Sequence, residues 1–549
     1  MQFNFSRYGL TAAQERVQRF FEIVPGFTSW AIIVGMTVLA VVRPAIAAVI
    51  IIAFDFHWLL RLFYITIFLV LSYNRLTIEK ETDWMARVKG LDDIDSLIEG
   101  LNKPVPGEDA KARLSGFFFR KQAQSIKAKN MVMPKSGDIY HLVIVPVAKE
   151  TEDIVEPDIK SIAENTFPAD RILVVIALEE RAADTVKQGI RNIQRRYKDR
   201  FLGLEVAVHA DGVEGEARVK GANVTNAAKE ARKHIEARGI PFENVIVSCF
   251  DSDTVVSPGY FACLTYNFMV CQERLRASFQ PIPVYYNNIW EVPGFARVLE
   301  TGSSFFQLVE STNSEKLVTF SSHSMSFKAL VDVGYWPVDM VSDDSAIYWK
   351  AFMKFDGDYR VVPMYTTVSM DIVAADSWWK TIVNEYKQKR RWAWGVENFP
   401  IVMRGFLGSR KISFYTKIRL GFKLFEGHIA WATWAFILTI IGWLPVIFAS
   451  RAIRHEVIYY SIPRITGTIF NLATLSLVIS IILSLCLLPR DDKMRNPLLK
   501  RIGFAVQWIF IPFIAFFLSA IPALDAQTRL MLGKRMEFWV AEKKREHKV

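Results

Sequence analysis

Apolar stretches long enough to cross a bilayer stand near both ends of this chain, and they force the charged middle between them to fold in water. A helical span needs about 20 mostly apolar residues. Residues 28–54 are nearly uncharged apart from Arg43, and 57–73 are apolar apart from Arg61. They read as a transmembrane hairpin over 28–73. Its bend is expected near Asp55, with a kink at Arg43-Pro44, where proline removes a helix donor. The run starts too far in and lasts too long for a secretory signal, and no small-residue cleavage pattern follows it. Beyond the middle, 428–449, 465–488 and 503–524 bring the expected spans to five. An odd number separates the termini. Yet Arg7, Arg16 and Arg19 at one end and Lys534, Arg535, Lys543, Lys544 and Arg545 at the other are all basic. The positive-inside rule places both on one side, which one misread or re-entrant segment would allow.

Arg75 and Lys80 follow the hairpin, and Lys411, Lys417, Arg419 and Lys423 precede the third span, so the middle is expected in the cytoplasm. A multi-pass protein of the cytoplasmic membrane follows, in contact with membrane lipid. The formal net charge of +11 is accounted for by these flanking residues and calls for no nucleic acid. The 4 cysteines lack metal-ligand spacing and the 8 histidines are scattered, which gives neither disulfides nor a zinc site any support. Arg43 and Arg61 raise a transporter or receptor reading, because charges within spans are functional candidates. Pairing with Asp55, or snorkelling to the interface, explains them more simply.

Within the middle, strands at 141–147, 171–178, 204–209 and 245–250 alternate with helices at 154–165, 182–200 and 219–238. That alternation predicts an α/β fold with a mostly parallel sheet. Ligands of such sheets bind at the carboxyl ends of strands. The fourth strand ends in Asp251-Ser252-Asp253, with Ser257 and Pro258 read as the cap and first position of the next helix. Taken alone, this is a solvated acidic turn; with a divalent cation between the carboxylates, it is a diphosphate site. Glu150 and Glu179 end the first two strands, and Lys220 opens the helix after the third. Gly-x-Gly-x-x-Gly is missing, so phosphates would be held by metal and basic side chains.

Downstream, Ser342-Asp343-Asp344 begins a helical stretch, where helix capping alone would favour carboxylates. Gln388, Arg391 and Trp392 fall on one helical face, suited either to a ligand or to a membrane interface.

In this order, DSD, SDD and QKRRW resemble the signatures of membrane-embedded family 2 glycosyltransferases, the group of cellulose, chitin and hyaluronan synthases. KGANVTNA and QPIPVYYNN are similar to further family segments. The resemblance implies a GT-A-like nucleotide-sugar-binding domain inserted between N- and C-terminal transmembrane helices. It makes Asp251 and Asp253 contacts for Mg²⁺ or Mn²⁺ and Asp344 the general base. Lys220, Arg391, Glu150 and Glu179 become donor or diphosphate contacts, and Gln388, Trp392 and Asp343 acceptor contacts. The family usually has Thr-Glu-Asp where this chain has Ser342-Asp343-Asp344, so Asp343 competes for the role of base, although position favours Asp344. Glu179-Glu180-Arg181 only approximates the family's acidic nucleotide contact.

The implied reaction is inverting, metal-dependent hexosyl transfer from a nucleotide sugar to a glycan, with processive polysaccharide synthesis as the expected mode. Single-sugar transfer to a lipid-linked acceptor, and a transporter or receptor with an inactive domain, are the alternatives. The expected segments are 1–27 as a cytoplasmic start, 74–138 as linker or peripheral cover, 139–400 as the transferase domain and 401–427 as an interfacial amphipathic stretch. Transmembrane helices over 428–524 and a basic tail over 525–549 complete the chain.

Overall fold

Short runs of Val, Ile and Leu form the first four strands, β1 (Tyr140–Val147), β2 (Ile172–Glu179), β3 (Gly203–His209) and β4 (Val245–Cys249). The computed structural model describes residues 3–102, 110–448, 457–489, 497–536 and 539. Side chains alternate across a strand, so β1 sends Val143, Val145 and Val147 into one core and Leu142 and Ile144 into a second on the opposite face. Every residue of β2 and β4 is buried, as expected for strands covered on both faces. β1 pairs in parallel with β2 and β4, and β2 with β3. Helices Glu152–Ala163, Asp184–Tyr197 and Lys220–Ala237 make the crossovers.

Four further strands extend the sheet: β5 (Val255–Val256), β6 (Ala277–Val284), β7 (Ser324–Ser326) and β8 (Arg360–Ser369). The order is β3-β2-β1-β4-β7-β6-β8-β5. β7 runs antiparallel to β4 and β6, and β5 antiparallel to β8, while β6 and β8 are parallel. The α/β, mostly parallel expectation therefore holds, in a mixed sheet.

β5 corrects one local reading. Val255 and Val256 are β-branched and pair with Ser369 and Val368, which delays the next helix to Tyr260, capped by Gly259. Ser257 and Pro258 lie before that helix instead of opening it.

The apolar ends are helical. Ala12–Val42 and Pro44–Lys80 are long and apolar enough to cross a membrane, as are Arg464–Leu487 and Leu499–Met531. The helix pair Phe414–Thr439 and Ile441–Ile447, bent by 42°, would be a fifth. The expected bend near Asp55 is wrong: the break is at Arg43, because proline disfavours helix in the residue before it and serves well at a first helical position. Asp55 is buried inside the second helix. Arg61 is paired at 2.6 Å with Glu426 rather than Asp55, so its charge is accounted for within the helix bundle.

Arg7 Nη2 lies 3.0 Å from Glu397 Oε2, and Ser6 Oγ donates to Asp339 Oδ2 at 2.7 Å, both on the central domain. From the other end, Asp525 Oδ2 accepts from Tyr386 Oη at 3.1 Å and Arg390 Nη1 at 2.9 Å. Both ends of the chain thus contact the central domain. The 74–138 stretch holds helices Trp84–Gly90, Ile94–Leu101 and Ala110–Ala128, and Trp84, Val88, Phe119 and Ile126 pack into the sheet's first core. Residues 103–109 of that stretch, and most of the 525–549 tail beyond 536, lie outside the described residues.

Candidate active site

One cleft at the carboxyl ends of β1, β2 and β4 is lined by Glu150, Glu179, Lys220, Asp251, Asp253, Asp344, Gln388, Arg391 and Trp392. Residues from widely separated parts of the chain meet there.

Asp251 leaves β4 at the point where the Phe250 amide still donates to Ile144 of β1, 3.0 Å away. Ser321 Oγ donates to Asp251 Oδ2. Asp253, 2% exposed, accepts the Asp371 amide on Oδ2 at 2.8 Å, and its carbonyl accepts Asn287 Nδ2 at 2.8 Å. The turn is therefore held from the stretches that follow β8 and β6.

Lys220 begins its helix and is buried, with Nζ donating to Asp251 Oδ1 at 2.8 Å and to Asp344 Oδ1 at 3.0 Å. Burial alone would push this ammonium down, but Asp251 and then Asp344 more than reverse it, so the lysine stays charged. Asn223 fixes the same helix to β2, its Nδ2 donating to the Ala177 carbonyl at 2.8 Å. Between them, Gly221 lets the backbone close on the loop before Asp343. A Cβ there would sit 2.2 Å from the Pro337 carbonyl oxygen and 3.2 Å from Asp343 Cβ. Gly221→Ala is expected to cost about 1–3 kcal/mol of stability and to displace Lys220, read as a fall in Tm accompanied by lost activity. An alanine variant with unchanged Tm and turnover would contradict this packing.

Asp344 lies in the first turn of helix Asp343–Lys354. The cap residue Ser342 donates to Glu397 Oε1 through its amide at 2.8 Å and its hydroxyl at 2.7 Å, and Trp394 Nε1 donates to Glu397 Oε2 at 2.9 Å. Thr319 Oγ1 donates to the Asp344 carbonyl at 2.6 Å. Asp343 departs from the expectation of an acceptor contact: it is 2% exposed and, unlike Asp344, is not among the residues lining the cleft. Burial, then the neighbouring Asp344, pushes its carboxyl well above the usual carboxylate range.

Sequence reading missed His323. Its Nδ1 is 3.1 Å from the Phe320 carbonyl, which can only accept, and 3.7 Å from Asp344 Oδ1. Burial pushes the imidazole down, so it is neutral with the proton assigned to Nδ1.

Glu150 and Glu179 face the cleft but are engaged locally. Glu150 Oε2 accepts the Ala148 and Lys149 amides at 2.8 and 2.9 Å. Glu179 Oε2 lies 3.4 Å from Arg181 Nε and 3.7 Å from His209 Nδ1. Gln388, Arg391 and Trp392 occupy the last turns of helix Trp378–Ala393 and converge as the spacing predicts. Gln388 is buried, and its Oε1 has no hydrogen-bond partner among the described residues. Trp392 packs against Tyr285 and Phe320, with ring centroids 6.1 and 5.7 Å away. Trp539 of the basic tail also lines the cleft, and Lys387 Nζ sits 5.4 Å from its ring. Composition gave no sign of that, because the tail reads only as charge.

Residues 246–488 match the model for "Glycosyl transferase family group 2". The chain carries a family 2 glycosyltransferase domain. This transferase is also similar to poly-beta-1,6-N-acetyl-D-glucosamine synthase of Staphylococcus epidermidis, 22% identical over 325 residues, covering 59% of this chain and 69% of that one. The corresponding Staphylococcus aureus (strain COL) synthase is 27% identical over 195 residues, 35% of this chain and 43% of the relative. Among solved structures, a Pyrobaculum calidifontis mannosyltransferase in complex with GDP-Man and Mn²⁺ aligns with TM-score 0.41 and 13% identity, over 80% of this chain and 100% of that one. Staphylococcus aureus TarS in complex with UDP-GlcNAc aligns with TM-score 0.35 and 12% identity, over 73% and 95%. Sugar transfer in glycan synthesis is the activity class of the transferase domain.

Proposed function

We propose that this chain moves a hexose from a nucleoside-diphosphate sugar to a growing glycan at the cytoplasmic membrane face, inverting the anomeric centre and repeating the transfer to build a polysaccharide. One observation carries the reading: a lysine ion-paired to Asp251 and Asp344 shares a cleft with Gln388, Arg391 and Trp392. A cation already stands between the two carboxylates, and an arginine and an indole stand beside them. The catalytic domain is 139–400.

In this mechanism Lys220 and Arg391 bind the donor's diphosphate, where negative charge grows as the bond to the sugar breaks. Asp344 accepts the proton of the acceptor hydroxyl while that oxygen attacks the anomeric carbon from the face opposite the leaving group. The new C–O bond forms, the old one breaks, and its electron pair leaves with the diphosphate. Trp392 supports the acceptor ring and Gln388 offers it an amide.

Asp251 and Asp253 fit Mg²⁺ or Mn²⁺. Two carboxylates line one cleft, and Asp251 already holds a cationic group in the Lys220 ammonium. Magnesium is commonly held by one or two carboxylates together with substrate phosphates, which agrees with the absence, among the described residues, of any cluster of three metal-binding side chains. When bound, the ion would neutralise charge on the departing diphosphate.

The names of the relatives make UDP-N-acetylglucosamine the first donor to test. Full-length protein in lipid nanodiscs, given this donor and a lipid extract, is expected to yield products of many sugars resolved by length. Products carrying one added sugar alone would contradict repeated transfer and favour single addition to a lipid carrier.

A further inference from the structure

The helix that presents Gln388, Arg391 and Trp392 also carries charge into a dry interior, where charge is costly unless paired. Lys389 is 3% exposed. Its Nζ lies 2.7 Å from Glu300 Oε1, donates to Ser303 Oγ at 2.9 Å, and sits 3.6 Å from the centroid of the Trp392 ring. Glu300 and Ser303 belong to helix Gly294–Glu310, so Lys389 joins two helices as well as touching the indole. Glu385, one turn earlier on the helix of Lys389, is fully buried. Burial, then Glu300, pushes the Glu385 carboxyl well above its usual range. Glu385 is therefore neutral, and Glu300 and Lys389 form one compensated pair.

A leucine or methionine at position 389 would fill this interior without burying charge. What the lysine adds is contact with Trp392. The ammonium covers one face of the indole, Tyr285 packs at a 35° tilt, and Phe320 meets the ring edge-on. A cation over an aromatic face is attractive, and more so when desolvated. The ring is thus held on several sides.

We propose that Lys389 is a positioning residue for the acceptor: anchored by Glu300 and Ser303, it fixes the Trp392 ring so that one face remains to stack against the sugar. The proposal rests on Trp392 as the acceptor support. It gives the buried Glu300–Lys389 pair a role in acceptor affinity, separate from donor binding and from the proton transfer at Asp344.

The test uses full-length protein in nanodiscs with UDP-N-acetylglucosamine and an N-acetylglucosamine tetrasaccharide as probes, or the donor that proves active and its tetrasaccharide. Lys389→Met leaves Glu300 unpaired and is expected to lower Tm, so it is paired with Lys389→Met/Glu300→Gln, which removes the orphaned charge and recovers Tm. In the double variant the acceptor KM is expected to rise about tenfold, with donor KM and acceptor-independent donor hydrolysis within about twofold of the parent. Ser303→Ala removes one anchor and keeps the ion pair, and is expected to raise acceptor KM by about threefold. A folded double variant with the parent's acceptor KM overturns the proposal, as does an equal loss in donor and acceptor parameters. Trp392→Ala separates the two levels. If it leaves acceptor KM unchanged, the role of Trp392 itself fails, whereas a rise with Trp392→Ala but none in the Lys389 variants refutes the positioning role alone.

Discussion

Asp344→Asn is expected to lower sugar transfer by about 10²–10⁴-fold at saturating donor and acceptor, while Asp343→Asn stays within about threefold of the parent. The two carboxyls are adjacent in sequence, but their surroundings divide them. Asp344 lines the cleft and accepts from Lys220, which leaves it, in the proposed mechanism, as the carboxylate that meets the acceptor hydroxyl. Asp343 is turned inward and retains its proton through burial and the adjacent Asp344. Its folded state keeps a proton that the unfolded chain releases, so its contribution to stability falls as pH rises above the ordinary aspartate value of 3.8. Asparagine cannot ionise, and Asp343→Asn is accordingly expected to leave Tm unchanged or raised at neutral pH. Initial rates of nucleoside diphosphate release, with Tm recorded for each variant, check both halves. Equal losses at the two positions would remove the assignment of Asp344 as the base.

Lys220→Met is expected to raise the donor KM by about ten- to a hundredfold, since a hydrogen bond to a charged group contributes about 1.5–3 kcal/mol. It also strips the shared partner from Asp251 and Asp344. Truncating one partner of a fully buried pair costs about 3–5 kcal/mol, but both carboxylates here reach solvent in part, so a stability loss of roughly 1–3 kcal/mol is expected. Lys220→Arg should not rescue fully, because a planar guanidinium replaces a compact ammonium in a buried slot. Calorimetry with the nucleoside diphosphate, alongside thermal unfolding, measures the two effects. Donor affinity equal to the parent's in a folded Lys220→Met protein would show that the lysine serves the fold and not the phosphates.

Much of this site was legible in the sequence because the signals were local. The alternation from β1 to β4 follows from hydrophobic periodicity, and each expected strand lies within two residues of its place. Asp251, Asp344, Gln388, Arg391 and Trp392 meet because they occupy helix and strand ends that the sheet gathers at one edge. What sequence concealed depended on distant contacts. Val255-Val256 looked like part of a loop until β8 supplied a partner for it. Arg61 has Asp55 nearby in sequence, yet Glu426 lies 365 positions away and takes the pair. His323 stands in a serine-rich loop without any motif, and only the fold sets it beside Asp344. Asp343 and Asp344 differ by which side of one helical turn they occupy, which the pattern SDD does not state.

Turnover of nucleotide sugars by the full-length protein in nanodiscs tests the central claim most directly, with Mg²⁺ or Mn²⁺ present and after their removal by chelation. The expected result is that one donor yields nucleoside diphosphate and extended glycan together, that chelation stops both, and that Asp344→Asn stops both without abolishing donor binding. Turnover undiminished by chelation and by Asp344→Asn, or no turnover of any common nucleotide sugar with either ion, would contradict it.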